Sequence, residues 1–167
     1  SPHEQGVLWV GSDDGRVHIT RNGGESWEEV TPPDLPELSA IYEIEISPHD
    51  PGTVYLAITR YRKADDYKPY LLKTSDYGKS WERLDGSFPQ DEITRTIRED
   101  TERKGMLFVG TETGIYVSID DGKEWRRMNL NMPPLPVHDI EVKGNDLVIA
   151  THGMGFWILD EIGPLRQ

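Results

Sequence analysis

Short runs rich in β-branched and aromatic residues recur along the whole chain, separated by Gly, Pro and Asp. Within these runs apolar and polar side chains alternate, or apolar side chains follow one another without a break. Examples are IYEIEIS (Ile41 to Ser47), TVYLAIT (Thr53 to Thr59) and MLFVG (Met106 to Gly110). This period of two, bounded by turn residues, predicts β-strands, and no stretch has a convincing helical period. The sequence therefore predicts an all-β chain.

One octet occurs three times, as TRNGGESW (Thr20 to Trp27), TSDYGKSW (Thr74 to Trp81) and SIDDGKEW (Ser118 to Trp125). The Gly-Lys-Ser of the second copy is not a phosphate loop, because Lys73 stands where that loop requires glycine. Aligned on the octets, the chain divides into repeated units of four strands, A to D, with the octet between C and D. Four-stranded antiparallel units repeated every 40 to 50 residues or so predict a β-propeller.

The alignment predicts one domain, a propeller segment of about four blades. The predicted blades cover residues 1–31, 40–85, 93–129 and 137–160, and residues 161–167 form a tail. The first blade is predicted to lack strand A, and the fourth to lack strand D and an octet. Because propellers usually close with about four to eight blades, we expect self-association, most simply an eight-bladed homodimer, or further blades of a longer chain.

Charge and composition narrow the classes of partner. Thirty acidic and eighteen basic residues among 167 give a formal net charge of −12, which disfavours binding to nucleic acid and to anionic membranes. No apolar run approaches the roughly 20 residues of a membrane-spanning helix. The chain has no cysteine, which excludes disulfides and thiolate chemistry. The five histidines are scattered, so the sequence predicts neither a metal site nor a cofactor.

The three octets resemble the Asp-box, S/T-x-D/N-x-G-x-S/T-W, of sialidase-like and sortilin-like BNR-repeat propellers. Asn22 replaces Asp in the first copy, and Glu124 replaces Ser/Thr in the third. The closing segment ATHGMGFWILDEIGPLRQ resembles the end of a propeller in large bacterial BNR-repeat proteins labelled sortilin-like or glycosyl-hydrolase-like. The resemblance implies the C-terminal part of such a propeller, and it favours an extracytoplasmic location, periplasmic or secreted.

We interpret each Asp-box as a structural turn. Its Asp or Asn is expected to accept backbone N–H bonds within the turn, its glycine to adopt a positive φ, and its tryptophan to be buried between blades. The resemblance implies that these turns lie on the face opposite the one used for catalysis in sialidase-like enzymes. The residues concerned are Asn22, Gly24, Trp27, Asp76, Gly78, Trp81, Asp120, Gly122 and Trp125.

The B-to-C loops are expected on the other face, where propellers usually bind ligands. The B-to-C connection of the second blade is about twice as long as those of the first and third blades. Its charged and aromatic residues could stack on and hydrogen-bond a sugar or a peptide, although a solvated hairpin extension has the same composition. The candidate ligand-binding residues are Tyr61, Arg62, Lys63, Asp65, Asp66 and Tyr67, together with Asp13, Asp14, Glu112 and His152 in the other loops.

The A strands, which line the axis of a propeller, align three sets of polar residues. Such a ring is more often a structural ladder of ion pairs than an ion or substrate site, because crowded charges need partners. The aligned sets are Glu45, Arg98 and Glu141; Tyr42, Arg95 and His138; and Glu43, Thr96 and Asp139.

For function, the sequence favours a binding or scaffold module without catalytic residues, whose ligand is a protein or a carbohydrate. One alternative is part of a glycoside hydrolase, because Asp13, Asp14, Asp65, Asp66, Glu112 and Asp139 are possible acids or bases, although no catalytic motif accompanies them. In that case the catalytic residues lie mostly outside this segment. Another alternative is an assembly factor for a protein complex, since Asp-box propellers also resemble photosystem assembly proteins.

Overall fold

The computed structural model describes all residues from Ser1 to Gln167 and contains fourteen β-strands. In chain order the strands are β1 (Leu8–Gly11), β2 (Val17–Thr20), β3 (Glu28–Glu29), β4 (Ala40–Ile46), β5 (Val54–Arg60), β6 (Asp66–Thr74), β7 (Glu82–Arg83), β8 (Thr94–Glu99), β9 (Leu107–Thr111), β10 (Ile115–Ser118), β11 (Arg126–Arg127), β12 (Val137–Lys143), β13 (Asp146–Thr151) and β14 (Phe156–Leu159).

The strands form four antiparallel sheets in which sequence neighbours pair, and this all-β propeller architecture confirms the predicted fold class. The first blade is β1–β2–β3, the second β4–β5–β6–β7, the third β8–β9–β10–β11 and the fourth β12–β13–β14. The innermost strands of consecutive blades, β4, β8 and β12, lie next to one another. Each D strand has only two residues and begins directly after the tryptophan of the Asp-box.

Two short helices complete the chain. Helix α1 (Tyr61–Ala64) lies in the long B-to-C connection of the second blade, and a 3₁₀ helix (Gly163–Arg166) ends the chain. Neither has the length and apolar content that a membrane-spanning helix requires.

The core consists of three apolar layers, each between two consecutive blades. Val17 and Ile19 pack against Leu56 and Ile58 between the first and second blades. The second layer joins residues of the second and third blades, including Leu71 and Trp125. The third layer joins the last two blades, for example through Phe108 and Ile149. Because both faces of an inner blade are covered, the sequence of β5 reads as an almost continuous apolar run.

The three Asp-boxes share one hydrogen-bond arrangement. The Oδ1 atom of Asn22, Asp76 or Asp120 accepts the backbone N–H four residues ahead, at 2.9 to 3.0 Å. The hydroxyl two residues earlier accepts the N–H of the box glycine at 2.9 to 3.0 Å. The glycines have φ values of +100°, +85° and +81°, a region that favours glycine. These turns are closed by their own side chains, as an Asx-turn is.

The second and third boxes also fasten each blade to the one before it. Trp81 donates its Nε1–H to the carbonyl of Val30 at 2.9 Å, and Trp125 donates to the carbonyl of Leu84 at 2.8 Å. Gly78 lies so close to Val30 that a Cβ atom would meet that side chain at 2.7 Å. At both junctions the box therefore contacts the residue that directly follows the D strand of the preceding blade.

The expectation that all three tryptophans are buried between blades is wrong for Trp27. Its side chain is exposed, whereas Trp125 is buried and Trp81 is half-buried. The physical reason is that the box contacts the preceding blade, and within these 167 residues no blade lies on that side of Trp27.

The C-terminal tail takes the position of a box on the fourth blade. The N–H of Ile162 bonds to the carbonyl of Asn145 at 2.7 Å, as the equivalent N–H of Asp121 bonds to Gly105 in the third blade. Arg166 then forms an ion pair with the fully buried Asp100 of the third blade, at 2.7 Å. The tail thus fastens the fourth blade to the third with an arginine in place of a tryptophan.

These bonds define two faces of the propeller segment. Each box, and the tail, bonds to the A-to-B turn of its own blade, for example Tyr77 N–H to the Gly52 carbonyl at 3.1 Å. We call this the box face. The B-to-C and D-to-A loops lie on the opposite face, which we call the loop face.

Candidate ligand-binding site

A β-bulge in each inner strand shapes the centre of the loop face. The strand register skips one residue in β4, β8 and β12, and the skipped residues are Tyr42, Arg95 and His138. A bulge re-aims the extra side chain and is common near binding sites. The three residues were aligned from the sequence as one axial set, but they were not included among the candidate ligand-binding residues.

Arg95 is the hub of this centre. Arg95 is only 6% exposed, and its guanidinium forms an ion pair with Glu112 of the third blade's B-to-C loop. It also donates to the hydroxyls of Tyr42, at 3.1 Å, and Tyr61, at 3.4 Å, and lies 5.5 Å from each ring centroid. Cation–π contacts and ion pairing together fix the arginine between loops of two blades. Two predicted residues, Tyr61 and Glu112, therefore meet here.

A cavity of about 230 Å³ adjoins this cluster, between α1 and the first two blades. Half of its ten lining residues are hydrophobic, and the others include Asp13 and basic residues of α1. Lys63 of α1 forms an ion pair with Asp13 and donates to its carbonyl. The lining includes Leu38, Ile41, Tyr42, Arg60, Tyr61 and Arg62.

The long connection is anchored at its base. Arg60 forms an ion pair with Asp66, and the Tyr70 hydroxyl donates to the same carboxylate at 2.7 Å. Arg60 also donates to the carbonyl of Glu37 at 2.9 Å. Hydrogen bonds from Tyr70, Lys68 and Arg60 hold the pKa of Asp66 below its usual value, although desolvation opposes them. Asp66 therefore supports the loop rather than lying free for a ligand.

Other predicted residues do not join the Arg95 cluster. Asp14 bonds to Ser12 within its own loop, which lowers its pKa, and it faces Arg16. Tyr67 is exposed, and its hydrogen bond with Asp65 raises its pKa. The structure thus separates Asp14, Asp65 and Tyr67 from the residues near the axis.

His152 lies beside His138, with ring centroids 5.4 Å apart and planes tilted by 31°. Burial is the main cause that lowers the pKa of His138, and the charges of Arg95, His152 and Arg62 add to it. The sequence leaves open that folding brings His138 and His152 together, and the structure places them side by side.

The opposite end of the axis is acidic. Arg98 bridges three carboxylates from the inner strands, Glu43 at 2.9 Å, Glu45 at 3.4 Å and Asp139 at 3.0 Å. Glu141, which the sequence aligns with Glu45 and Arg98, forms no ion pair. Asp139 of the same strand pairs with Arg98 instead. Burial of Glu45 raises its pKa to about 7, and this effect outweighs the attraction of Arg98. No group of three or more His, Asp or Glu side chains is placed to hold a metal ion.

Comparison with known proteins identifies the family. The family model described as "Sortilin-Vps10: Sortilin, neurotensin receptor 3" matches residues 69–156, more than half of the 167 residues. The chain belongs to the sortilin-Vps10 family. Its second and third Asp-boxes lie inside the matched region, as does Leu84, the acceptor of the Trp125 hydrogen bond. A search of curated proteins gave no match to this sortilin-Vps10 chain.

Solved structures similar to this sortilin-Vps10 chain are also β-propellers. A structure of YCF48 bound to D1 peptide has a TM-score of 0.66 at 20% identity and covers 92% of this chain and 48% of its own. The GH74 xyloglucanase from Xanthomonas campestris has a TM-score of 0.71 at 16% identity, and the match covers 96% of this chain and 27% of the xyloglucanase. A GH74 enzyme from Niastella koreensis has a TM-score of 0.72 at 15% identity, and the match covers 94% of this chain and 27% of the enzyme. The chain thus spans about half the length of the YCF48 chain and about a quarter of the GH74 enzymes.

Proposed function

We propose that this propeller segment is a non-catalytic binding module that takes its ligand on the loop face. The observation that carries the proposal is the convergence on Arg95 of Tyr42, Tyr61 and Glu112, from an inner strand and two loops, beside an apolar cavity. A concave, largely apolar surface with a few fixed polar groups is the usual form of a ligand site.

The state of the acidic residues supports binding over the glycoside hydrolase alternative. A glycosidase needs two carboxyl groups that are free to face the scissile bond. Asp13, Asp66 and Glu112 are each engaged by a cation of this chain, namely Lys63, Arg60 and Arg95. These pairs favour a role in holding the loops together.

We favour a segment of a polypeptide as the ligand. The cavity offers Leu38, Ile41 and two tyrosines to an apolar side chain, and arginines at the rim to a backbone carbonyl or an acidic side chain. The similar YCF48 propeller, solved with a peptide, is consistent with this ligand class. A carbohydrate remains the alternative, since a xyloglucanase has a similar fold.

The experiment replaces Tyr61 to Asp65 with a short Gly-Asn turn and leaves Arg60, Asp66 and Tyr70 in place. Because α1 has no buried residue, the melting temperature should stay close to that of the wild type. Binding to peptide and glycan arrays should be lost. The control variant is Lys123→Ala on the box face, which should bind as the wild type does. A loop-replaced protein that folds and keeps full array binding would contradict the proposal.

We also propose that the outer surfaces of the first and fourth blades are covered by further blades, either of a second copy or of a longer chain. Apolar side chains are exposed on both surfaces, including Leu8, Val10, Phe156 and Ile158. Large exposed apolar patches usually mark contact surfaces.

A further inference from the structure

Charged side chains differ between the two ends of the propeller axis. The chain as a whole carries a net charge of −12. On the loop face, however, Arg62 and Arg95 lie close enough to His138 to act on its charge. At the box-face end, Arg98 stands among Glu43, Glu45 and Asp139. The axial region is therefore electrically polarised, and its loop-face end is the one suited to an anion.

The backbone brings two histidines together at this end. His138 is the bulged residue of β12, and His152 follows β13 directly. The N–H of His152 bonds to the carbonyl of Pro136 at 2.9 Å, which ties the two segments together beyond the last strand pair. Their rings lie 5.4 Å apart, centroid to centroid.

The surrounding charged groups leave the imidazoles without an anionic partner. Arg95 of β8 faces His138, but its charge is taken up by Glu112, and its other donors reach Tyr42 of β4 and Tyr61 of α1. Arg62 of α1 donates to the Tyr61 hydroxyl at 2.7 Å and forms no ion pair. Neither histidine forms an ion pair or a side-chain hydrogen bond within the chain. Arg62 and the two imidazoles are therefore the groups open to an anion.

We propose that His138, His152 and Arg62 form a site for an oxyanion, such as the carboxylate or sulfate group of a ligand, and that the site takes up protons when the anion binds. Two imidazolium rings this close repel each other, so both protonate readily only when a negative charge lies beside them. Anion binding and protonation consequently favour each other, and affinity increases as the pH falls through the range in which histidine titrates. This inference rests on the proposed function only in assuming that ligands bind on the loop face.

The test uses the whole chain with sulfate and acetate as separate probes. Imidazole signals of all five histidines are followed by NMR between pH 5 and pH 8, with and without each anion. We expect an anion to change the imidazole signals of both His138 and His152, to raise the pKa of His138, and to bind at least about tenfold more tightly at pH 5.5 than at pH 8. His18, on the first blade, and His49, bonded to the Asp100 carbonyl on the box face, are internal controls.

Variants complete the test. His138→Asn and Arg62→Gln should each reduce anion affinity at pH 5.5 by about tenfold or more, with an unchanged melting temperature. Anion-induced shifts that are absent, or equal at His18 and His49, would overturn the proposal. So would anion binding that the folded variants retain in full. Array binding measured at pH 8, where this inference expects weak anion binding, tests the proposed function independently of this site.

Discussion

Three tryptophans occupy the same position of the same motif and have three different environments. Trp125 is buried and bonded to the preceding blade, Trp81 is bonded and half-buried, and Trp27 is 44% exposed without an acceptor. The Asp-box turn itself is the same in all three copies. The turn is thus a local property of the octet, whereas the stabilising effect of the tryptophan depends on its neighbour.

This difference predicts unequal effects of one substitution. Trp125→Phe leaves the Leu84 carbonyl without its partner and should lower the free energy of unfolding by about 1–3 kcal/mol. Trp27→Phe removes a half-exposed indole without a hydrogen bond and should change it by about 0.5 kcal/mol or less. Urea denaturation of the two variants measures both values. Equal losses would show that the indole acts inside its own turn rather than across the junction.

Among the strands, the inner ones combine pairing with buried charge. Glu45 accepts the backbone N–H of Glu99 at 3.3 Å and contacts Arg98, yet burial raises its pKa to about 7. The native protein therefore binds a proton at Glu45 between roughly pH 4.5 and pH 7 that the unfolded chain releases. Stability from this group is present at low pH and is lost as the pH rises through the folded value.

Glu45→Gln removes this dependence. Relative to the wild type, the variant should gain about 1–3 kcal/mol of stability between pH 4.5 and pH 8, because the wild type must ionise a buried carboxyl group over that range. Chemical denaturation at several pH values measures the difference. Glu141→Gln, at the aligned but exposed position of β12, is the control and should show a flat difference. A flat difference for Glu45→Gln as well would mean that Glu45 is ionised in the folded protein throughout.

The sequence predicted the strands and the turns because both depend on short-range physics. Alternation in IYEIEIS and the Asp, Gly and hydroxyl residues of each box determine local conformation directly. Helix α1 was missed because four residues are too few for a helical period to appear. The docking of Arg166 on Asp100 was missed too, since it joins segments that only the packing of two blades brings together.

The candidate site could be predicted only in part. Loop residues such as Tyr61 and Glu112 were chosen from composition and loop position, and the structure places both beside Arg95. Aligning the strands had already placed Tyr42, Arg95 and His138 in equivalent positions. A β-bulge in each inner strand re-aims these three side chains together. The sequence does not predict the bulges, because a change of pairing register leaves no signal in the composition.

In the whole molecule, the two outer surfaces repeat the chemistry of the internal junctions. Leu8 pairs with the first box residue, Thr20, as Val54 pairs with Thr74 in the second blade. Val54 is fully buried, and Leu8 is 45% exposed. On the fourth blade, Phe156 takes the register position of Ile115 and is 77% exposed, while Ile115 is fully buried.

We therefore expect these 167 residues to self-associate when isolated, with a head-to-tail dimer as the simplest closed form. Sedimentation equilibrium at micromolar concentration should give a mass above that of the 19.1 kDa monomer. Leu8→Asp combined with Phe156→Asp should shift the equilibrium to the monomer, because each change places a charge on an apolar contact surface. Tyr67→Asp, an exposed loop residue, is the control and should leave the mass unchanged. A compact wild-type monomer would contradict the expectation.

In both tryptophan bonds between blades, the donor belongs to the later blade and the acceptor to the earlier one. This order has a consequence for synthesis on the ribosome. The second and third boxes fasten their own blades to the blade that was made before, through Trp81 to Val30 and then Trp125 to Leu84. A newly emerged blade thus brings its own fastening to a surface that already exists. The nascent chain can add blades one at a time, from the N-terminal side, without waiting for its last residues to leave the exit tunnel.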